Sequence, residues 1–121
     1  MRYFIILLFI VLSTVSLITK ANSHHPQDFL YSISGAKNEG EQIYVHFCVN
    51  CHALKPLISL GAPRIRERAD WQVRLKQGMS VLFKHTDEGL GTMPPRGGCF
   101  ECTDKQLLLA IKYMLPKKQK H

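Results

Sequence analysis

Two cysteines three positions apart, followed directly by a histidine, stand at Cys48-Val49-Asn50-Cys51-His52. On a short helical turn, each thiol can add across one of the two vinyl groups of a porphyrin. The residue after the second cysteine then lies under the ring, where its imidazole nitrogen can bind iron. Cys-x-x-Cys-His is the pattern of covalent c-type haem attachment. Cys48 and Cys51 are therefore expected to carry a haem, and His52 to be its proximal iron ligand. A Cys-x-x-Cys pair alone also serves zinc half-sites and redox dithiols, so the other residues must decide.

The second pair, in Cys99-Phe100-Glu101-Cys102, is close enough for its members to bond to each other. The competing reading is a zinc ribbon, but 47 residues separate Cys51 from Cys99, against roughly 15–20 in the usual ribbon spacing. A ribbon would also leave His52 without a role. On the far side of a haem the candidate ligands are Met79, Met93, Met114, His46 and His85. Met114 lies on an apolar helix face and reads as core. Met79, at a helix exit, reads as packing, and His46 is on the wrong side of the attachment site. Met93 stands apart because Pro94 pushes it into an extended conformation, and flanking glycines let such a loop run close to a porphyrin. Met93 is the expected distal ligand, with His85 or an open position as alternatives.

The elements that must position these residues read as helices. Ser34 or Asn38 can cap a helix running through Glu39, Ile43, Tyr44 and Phe47 into Cys48. Gly40, Tyr44 and Phe47 share one face of it. Residues 24–33 have no clear period and read as an N-terminal arm. The segment from Lys55 to Arg68, with Pro56, Gly61 and Pro63, should be irregular. Asp70 opens a short helix ended by Gly78, and Ser80 a further helix stopped before Gly89. Residues 89–98, with four glycines and two prolines, cannot be regular. Thr103 and Gln106 match a capping box, opening an amphipathic helix with Leu107, Leu108, Ala110, Ile111, Met114 and Leu115 that stops at Pro116. A lysine-rich tail follows. No segment alternates with strand period, so the expected class is all-α.

Met1-Arg2, an apolar run from Tyr3 to Ile18 and the small residues Ala21 and Ser23 have the layout of a secretory signal. As helix the run would span about 24 Å, short of the roughly 30 Å hydrocarbon core. Residues 1–23 are read as a signal peptide, cleaved after Ser23, with an uncleaved anchor as the alternative. Removing them, with Arg2 and Lys20, leaves 98 residues and 14 basic against 9 acidic side chains, a formal charge of +5. So small a domain benefits from a cofactor or disulfide as an extra cross-link. The compartment implied is a periplasm, where disulfides persist. The charge points to acidic partners or an anionic membrane surface, and no nucleic-acid partner is expected.

On these residues the chain resembles the class I c-type cytochromes, most closely the cytochrome c5 family, from about Gly35 to Leu115. Gly40 and Tyr44 sit eight and four residues before Cys48, as the helix-crossing glycine and aromatic do in that class, and Ala110 and Tyr113 occupy the places that meet them. The resemblance implies a small fold wrapped around one haem c. It also implies that the Pro63 carbonyl accepts the Nδ1–H of His52, and that Trp71 lies near a haem propionate with its indole N–H as a donor. Arg64, Arg66, Arg74 and Arg96 are further propionate candidates. Met93 to Cys102 looks like the c5-type ligand loop with its short Cys99–Cys102 disulfide. Arg66-Glu67-Arg68 departs from the family pattern, where a small or turn-forming residue is usual.

With both axial positions filled by protein, the expected function is one-electron transfer between redox proteins, a membrane oxidoreductase on one side and a terminal oxidase on the other. The protein is not expected to be an enzyme. Lys84 and Arg96, near the ligand loop, are the cations expected at the docking surface. The alternative function is a haem-based gas sensor in which Met93 is displaced by the ligand. Peroxidase-like catalysis would want distal acid–base groups, and only His85 is near.

Overall fold

A computed structural model describes residues 25–117. The expected signal peptide and tail residues 118–121 lie outside the described residues. Helices run over Pro26–Ile33 (α1), Glu39–Ile43 (α2), Val49–His52 (α3), Arg68–Leu75 (α4), Met79–Glu88 (α5) and Asp104–Met114 (α6). A π-helical turn, Tyr44–Cys48, joins α2 to α3, and a 3-10 turn, Pro95–Gly98, precedes α6. The described residues form no strand, only a single antiparallel bridge between Leu90 and Met93. The all-α expectation holds.

The C-terminal helix forms as its cap dictates. Thr103 Oγ1 accepts from the Gln106 N–H at 3.2 Å, and Gln106 Oε1 accepts from the Thr103 N–H at 3.0 Å. This reciprocal cap satisfies two donors that a helix start leaves open. Leu107, Ala110, Ile111 and Met114 then fall on one buried stripe. The stripe packs on α2, where Gly40 permits the approach: a Cβ there would stand 2.5 Å from the Leu109 carbonyl oxygen. Tyr44 meets Tyr113 as expected, ring centroids 5.4 Å apart, but Gly40 faces the Leu109 backbone, one residue before Ala110.

The first correction concerns residues 24–33, read as an aperiodic arm. Pro26–Ile33 is a helix, with Pro26 at its start and Asp28 in its first turn, both favourable there. Its buried residues Leu30 and Ile33 join the cluster of Ile43, Leu107 and Ala110. Gln106 Nε2 ties it down, donating to the Leu30 carbonyl (3.2 Å) and to Glu39 Oε1 (3.0 Å), while Glu39 Oε2 accepts from the Gly35 N–H (2.9 Å). The buried carboxylate is thereby hydrogen-bonded, which burial of a polar group requires.

The expected straight helix into Cys48 instead widens. Val49 N–H donates to the Tyr44 carbonyl, five residues back. His46 Nδ1 lies 2.9 Å from the Gln42 carbonyl oxygen, the acceptor that a regular turn assigns to the His46 N–H, so side chain and backbone compete for it. Elsewhere boundaries move slightly. α4 begins at Arg68 rather than Asp70, and α5 begins at Met79 behind Gly78 rather than behind a Ser80 cap. Met79 therefore heads a helix instead of leaving one.

Candidate cofactor site

Between these helices lies a cavity of about 710 Å³ with a mostly apolar lining, bordered by Cys48, Cys51, His52 and Met93. It falls in the usual range for small-molecule and cofactor sites, about 300–1,000 Å³. Ile43, Leu82 and Ile111 contribute to its floor, and Ile58, Leu60 and Leu90 are exposed at its edge.

On one side, α3 buries His52. Its Nδ1 lies 2.7 Å from the Pro63 carbonyl oxygen, as the resemblance implied. A carbonyl can only accept, so Nδ1 carries the proton and Nε2 keeps its lone pair. Burial, more than any other influence, lowers the His52 pKa from its ordinary value, which favours the neutral ring a metal requires. The segment supplying the carbonyl is itself fixed. Asp70 Oδ2 accepts from the Arg64 backbone N–H (3.0 Å) and from Arg64 Nε (2.8 Å). Hydrogen bonds from the Arg64 side chain and backbone hold the Asp70 carboxyl down at about 2. Trp71 lines the cavity, but its indole N–H donates to the Arg64 carbonyl at 2.8 Å. The expected donation to a propionate gives way to a backbone contact next to Pro63.

The Cys48 and Cys51 thiols are not bonded to one another. Burial pushes the Cys48 thiol up to about 12, with Cys51 adding to the effect. Redox dithiols need the opposite shift, toward thiolate, so this pair is unlike a thioredoxin-type site. Cys99 and Cys102 are bonded to each other and buried. The zinc-ribbon reading falls, because those sulfurs have no thiolate to give.

On the other side, Met93 is carried by the loop between α5 and α6. Its backbone pairs with Leu90 in both directions, Met93 N to Leu90 O at 3.0 Å and Leu90 N to Met93 O at 3.2 Å. Gly89, at φ +83°, lets the loop fold back: a Cβ there would stand 2.7 Å from the Met93 carbonyl oxygen. Among the other candidate ligands, His85 and Met114 also border the cavity, Met114 as part of a buried cluster with Tyr44 and Trp71. Met79 and His46 do not border it.

The four arginines separate. Arg64 pairs with Asp70, and the Arg66 guanidinium lies 4.8 Å from the centre of the Tyr113 ring. Arg96 turns inward onto Asp87 and Asp104. Arg74 borders the cavity, donating from Nη1 to the Asp70 carbonyl at 2.5 Å. The Arg96 ion pairs had no sequence signal, since their partners stand on two different helices.

An all-α domain with an apolar cavity, a Cys-x-x-Cys-His turn on its rim and a histidine whose outer nitrogen is anchored to a proline carbonyl fits haem c by its donor set and its shape. These features define a c-type cytochrome domain. Residues 35–114 match the family described as cytochrome c oxidase, cbb3-type, subunit III. Cytochrome c5 of Azotobacter vinelandii is 33% identical over 82 residues, covering 66% of this chain and 95% of that protein. Cytochrome c-555 of Chlorobaculum tepidum is 34% identical over 80 residues, covering 63% of this chain and 71% of that protein. A chain in the crystal structure of an electron transfer complex of nitrite reductase with cytochrome c is 36% identical and superposes with a TM-score of 0.57, covering 63% of this chain and 89% of that one. This chain belongs to the cytochrome c family matched over residues 35–114, as a class I c-type cytochrome most like cytochrome c5, with a covalently bound haem c as its cofactor.

Proposed function

We propose that the protein is a mono-haem one-electron carrier and not a substrate-turnover enzyme, with thioether bonds at Cys48 and Cys51 and with His52 and Met93 as the axial ligands. The observation that carries this reading is His52, buried against the cavity with Nδ1 on the Pro63 carbonyl at 2.7 Å and Nε2 left for a metal. When bound between histidine and methionine, haem c supplies one-electron cycling of iron at a raised potential. The chain's own residues fix the ring orientation at His52, close the opposite side at Met93 and line the space between with apolar side chains. Met93 is a fixed ligand rather than a displaceable one in this reading, because Leu90 and Gly89 hold its backbone; this favours carrier over gas sensor. Haem staining on a denaturing gel tests the attachment. It should vanish in Cys48→Ala/Cys51→Ala and persist in Cys99→Ala/Cys102→Ala, and the reverse result would refute it.

The partners are redox proteins with acidic docking surfaces, a membrane oxidoreductase or a terminal oxidase, in a periplasmic compartment. Among the described residues no helix is long and apolar enough to cross a membrane, so any membrane association of the domain itself would be peripheral. The basic balance of the sequence supports electrostatic docking, but Arg96 leaves the expected set because its guanidinium is paired within the molecule. Lys84 stays exposed on α5. Steering of this kind is screened over a Debye length of about 10 Å at 0.1 M salt. The second-order rate with a redox partner should fall as ionic strength rises, and Lys84→Glu should lower it and weaken its salt dependence. A rate indifferent to salt up to about 0.5 M, where screening is nearly complete, would leave docking to apolar contact.

A further inference from the structure

The loop that carries Met93 continues into three consecutive residues in left-handed backbone conformation: Arg96 at φ +56°, Gly97 at +58° and Gly98 at +83°. Glycine adopts this region freely, whereas for arginine it costs free energy and persists only where surrounding contacts enforce it. Local hydrogen bonding is sparse, Gly97 N–H to the Pro94 carbonyl and Cys99 N–H to the Arg96 carbonyl, each 3.0 Å. The enforcing contacts come from the Arg96 side chain, which is only 21% exposed. Nη1 pairs with Asp87 near the end of α5. Nη2 donates to the Cys102 carbonyl at 2.6 Å and to Asp104 Oδ1 at 3.1 Å. One planar guanidinium therefore joins the α5 end, the disulfide turn and the first turn of α6 around the segment that follows Met93. The turn runs beside the methionine itself: a Cβ added at Gly97 would lie within van der Waals contact of Met93 Cε, at 3.8 Å.

We propose that Arg96 is a positioning residue that sets how firmly Met93 holds the iron, by clamping the left-handed turn beside which the Met93 side chain lies. The inference rests on Met93 as the axial ligand. The clamp needs arginine's fixed fork of donors; a lysine ammonium, a point charge on a flexible stem, can satisfy one carboxylate but not the divergent set. Charge alone would not reproduce it.

The test uses the ferric holoprotein with imidazole as the competing ligand. Loss of the methionine–iron charge-transfer band in the red is followed as imidazole is added, alongside the reduction potential and the thermal unfolding midpoint. In Arg96→Gln the apparent imidazole affinity should rise at least about tenfold, the factor equivalent to one lost charge-assisted hydrogen bond, and the potential should fall. Arg96→Lys should recover part of both. Asp104→Asn, whose carboxylate is 72% exposed, should change the affinity by less than about threefold. An Arg96→Gln protein that melts earlier but keeps wild-type imidazole affinity and potential would reduce Arg96 to a structural residue and overturn the proposal. Should Arg96→Gln fail to fold, Arg96→Lys and Asp87→Asn carry the same test, and wild-type values in both would overturn it equally. A wild-type protein without the band, or a Met93→Ala protein that retains it, would overturn the ligand assignment first and this inference with it.

Discussion

His52 and Met93 face one cavity and are secured by different physics. The His52 side is a relay of hydrogen bonds within twenty residues of sequence: Arg64 donates to Asp70, Trp71 to the Arg64 carbonyl, and His52 to the Pro63 carbonyl. Each member fixes the direction of the next, so what the relay controls is the angle and protonation of an aromatic ring. The Met93 side has no such relay. Close backbone packing at Gly89, the Leu90 pairing, the disulfide and the Arg96 ion pairs hold a loop whose thioether has no hydrogen-bond geometry to obey. Orientation is imposed on the histidine by directional bonds and on the methionine by confinement. The two sides should fail differently.

The largest effect is expected at the confined side. Met93→Ala should leave both thioethers intact yet let the reduced protein bind carbon monoxide, with a fall in potential as a harder donor replaces sulfur. His85→Ala should do neither. Carbon monoxide binding confined to the His85 variant would move the ligand assignment to α5.

Gly89→Ala comes next. At φ +83° and ψ 161° the residue sits in a region essentially reserved for glycine, at a cost of roughly 1–3 kcal/mol for any other. The new Cβ would also press on backbone atoms of Met93 and Pro95, at 2.7 and 3.0 Å, which cannot swing aside as a side chain would. Thermal unfolding should show a loss of about 2–4 kcal/mol, and the methionine band should disappear well before the helical signal. Simultaneous loss of both would mean that the loop is no weaker than the fold around it.

The smallest effect tests the relay. The Asp70 carboxyl is depressed to about 2 by hydrogen bonds from Arg64, below the unfolded value of about 3.9. A depressed carboxylate stabilises the folded state above the unfolded pKa, and that contribution is lost as pH falls through the folded one. Asp70→Asn should therefore be slightly less stable than wild type at neutral pH, with the gap closing between about pH 4 and pH 2. The His52 side should feel it as a change in the ring environment, read by NMR of the imidazole, without carbon monoxide binding. A gap that persists below pH 2 would assign the effect to packing rather than to charge.

How much of this was legible in the sequence follows the range of the interactions involved. The Cys-x-x-Cys-His turn, the Cys99–Cys102 bridge and the Thr103–Gln106 cap each involve residues three or four apart, and each can be read directly. The Gly40 crossing was legible to within one residue, because a helix face is periodic but its docking depth is not. Helix α1 is not legible despite the start signals Pro26 and Asp28, since its apolar residues are buried in a cluster whose other members include Cys99, Cys102, Leu107 and Ala110, far along the chain. Arg96 looked like a docking cation because nothing in sequence brings Asp87 and Asp104 to the same point. The Trp71 N–H reads as a propionate donor for a similar reason: Trp71 does line the cavity, but the carbonyl that takes its N–H is a backbone atom and leaves no mark in residue type.

The π-helical turn at Tyr44–Cys48 has a consequence for the phase of the chain. A regular helix advances about 100° per residue, so a turn holding one extra residue rotates everything after it relative to everything before. Upstream, Gly40, Ile43 and Tyr44 are keyed to α6; downstream, Cys48, Cys51 and His52 are keyed to the cavity. The extra residue lets two faces that a straight helix would misalign serve two separate neighbours. Straightening this turn with all its residues kept would swing both thiols and the imidazole by about a quarter turn relative to Gly40 and Ile43, whereas removing one residue as the turn straightens would leave them near their present direction. What keeps the two faces in phase is thus the hydrogen bond from the Val49 N–H to the Tyr44 carbonyl, one step longer than a regular turn allows.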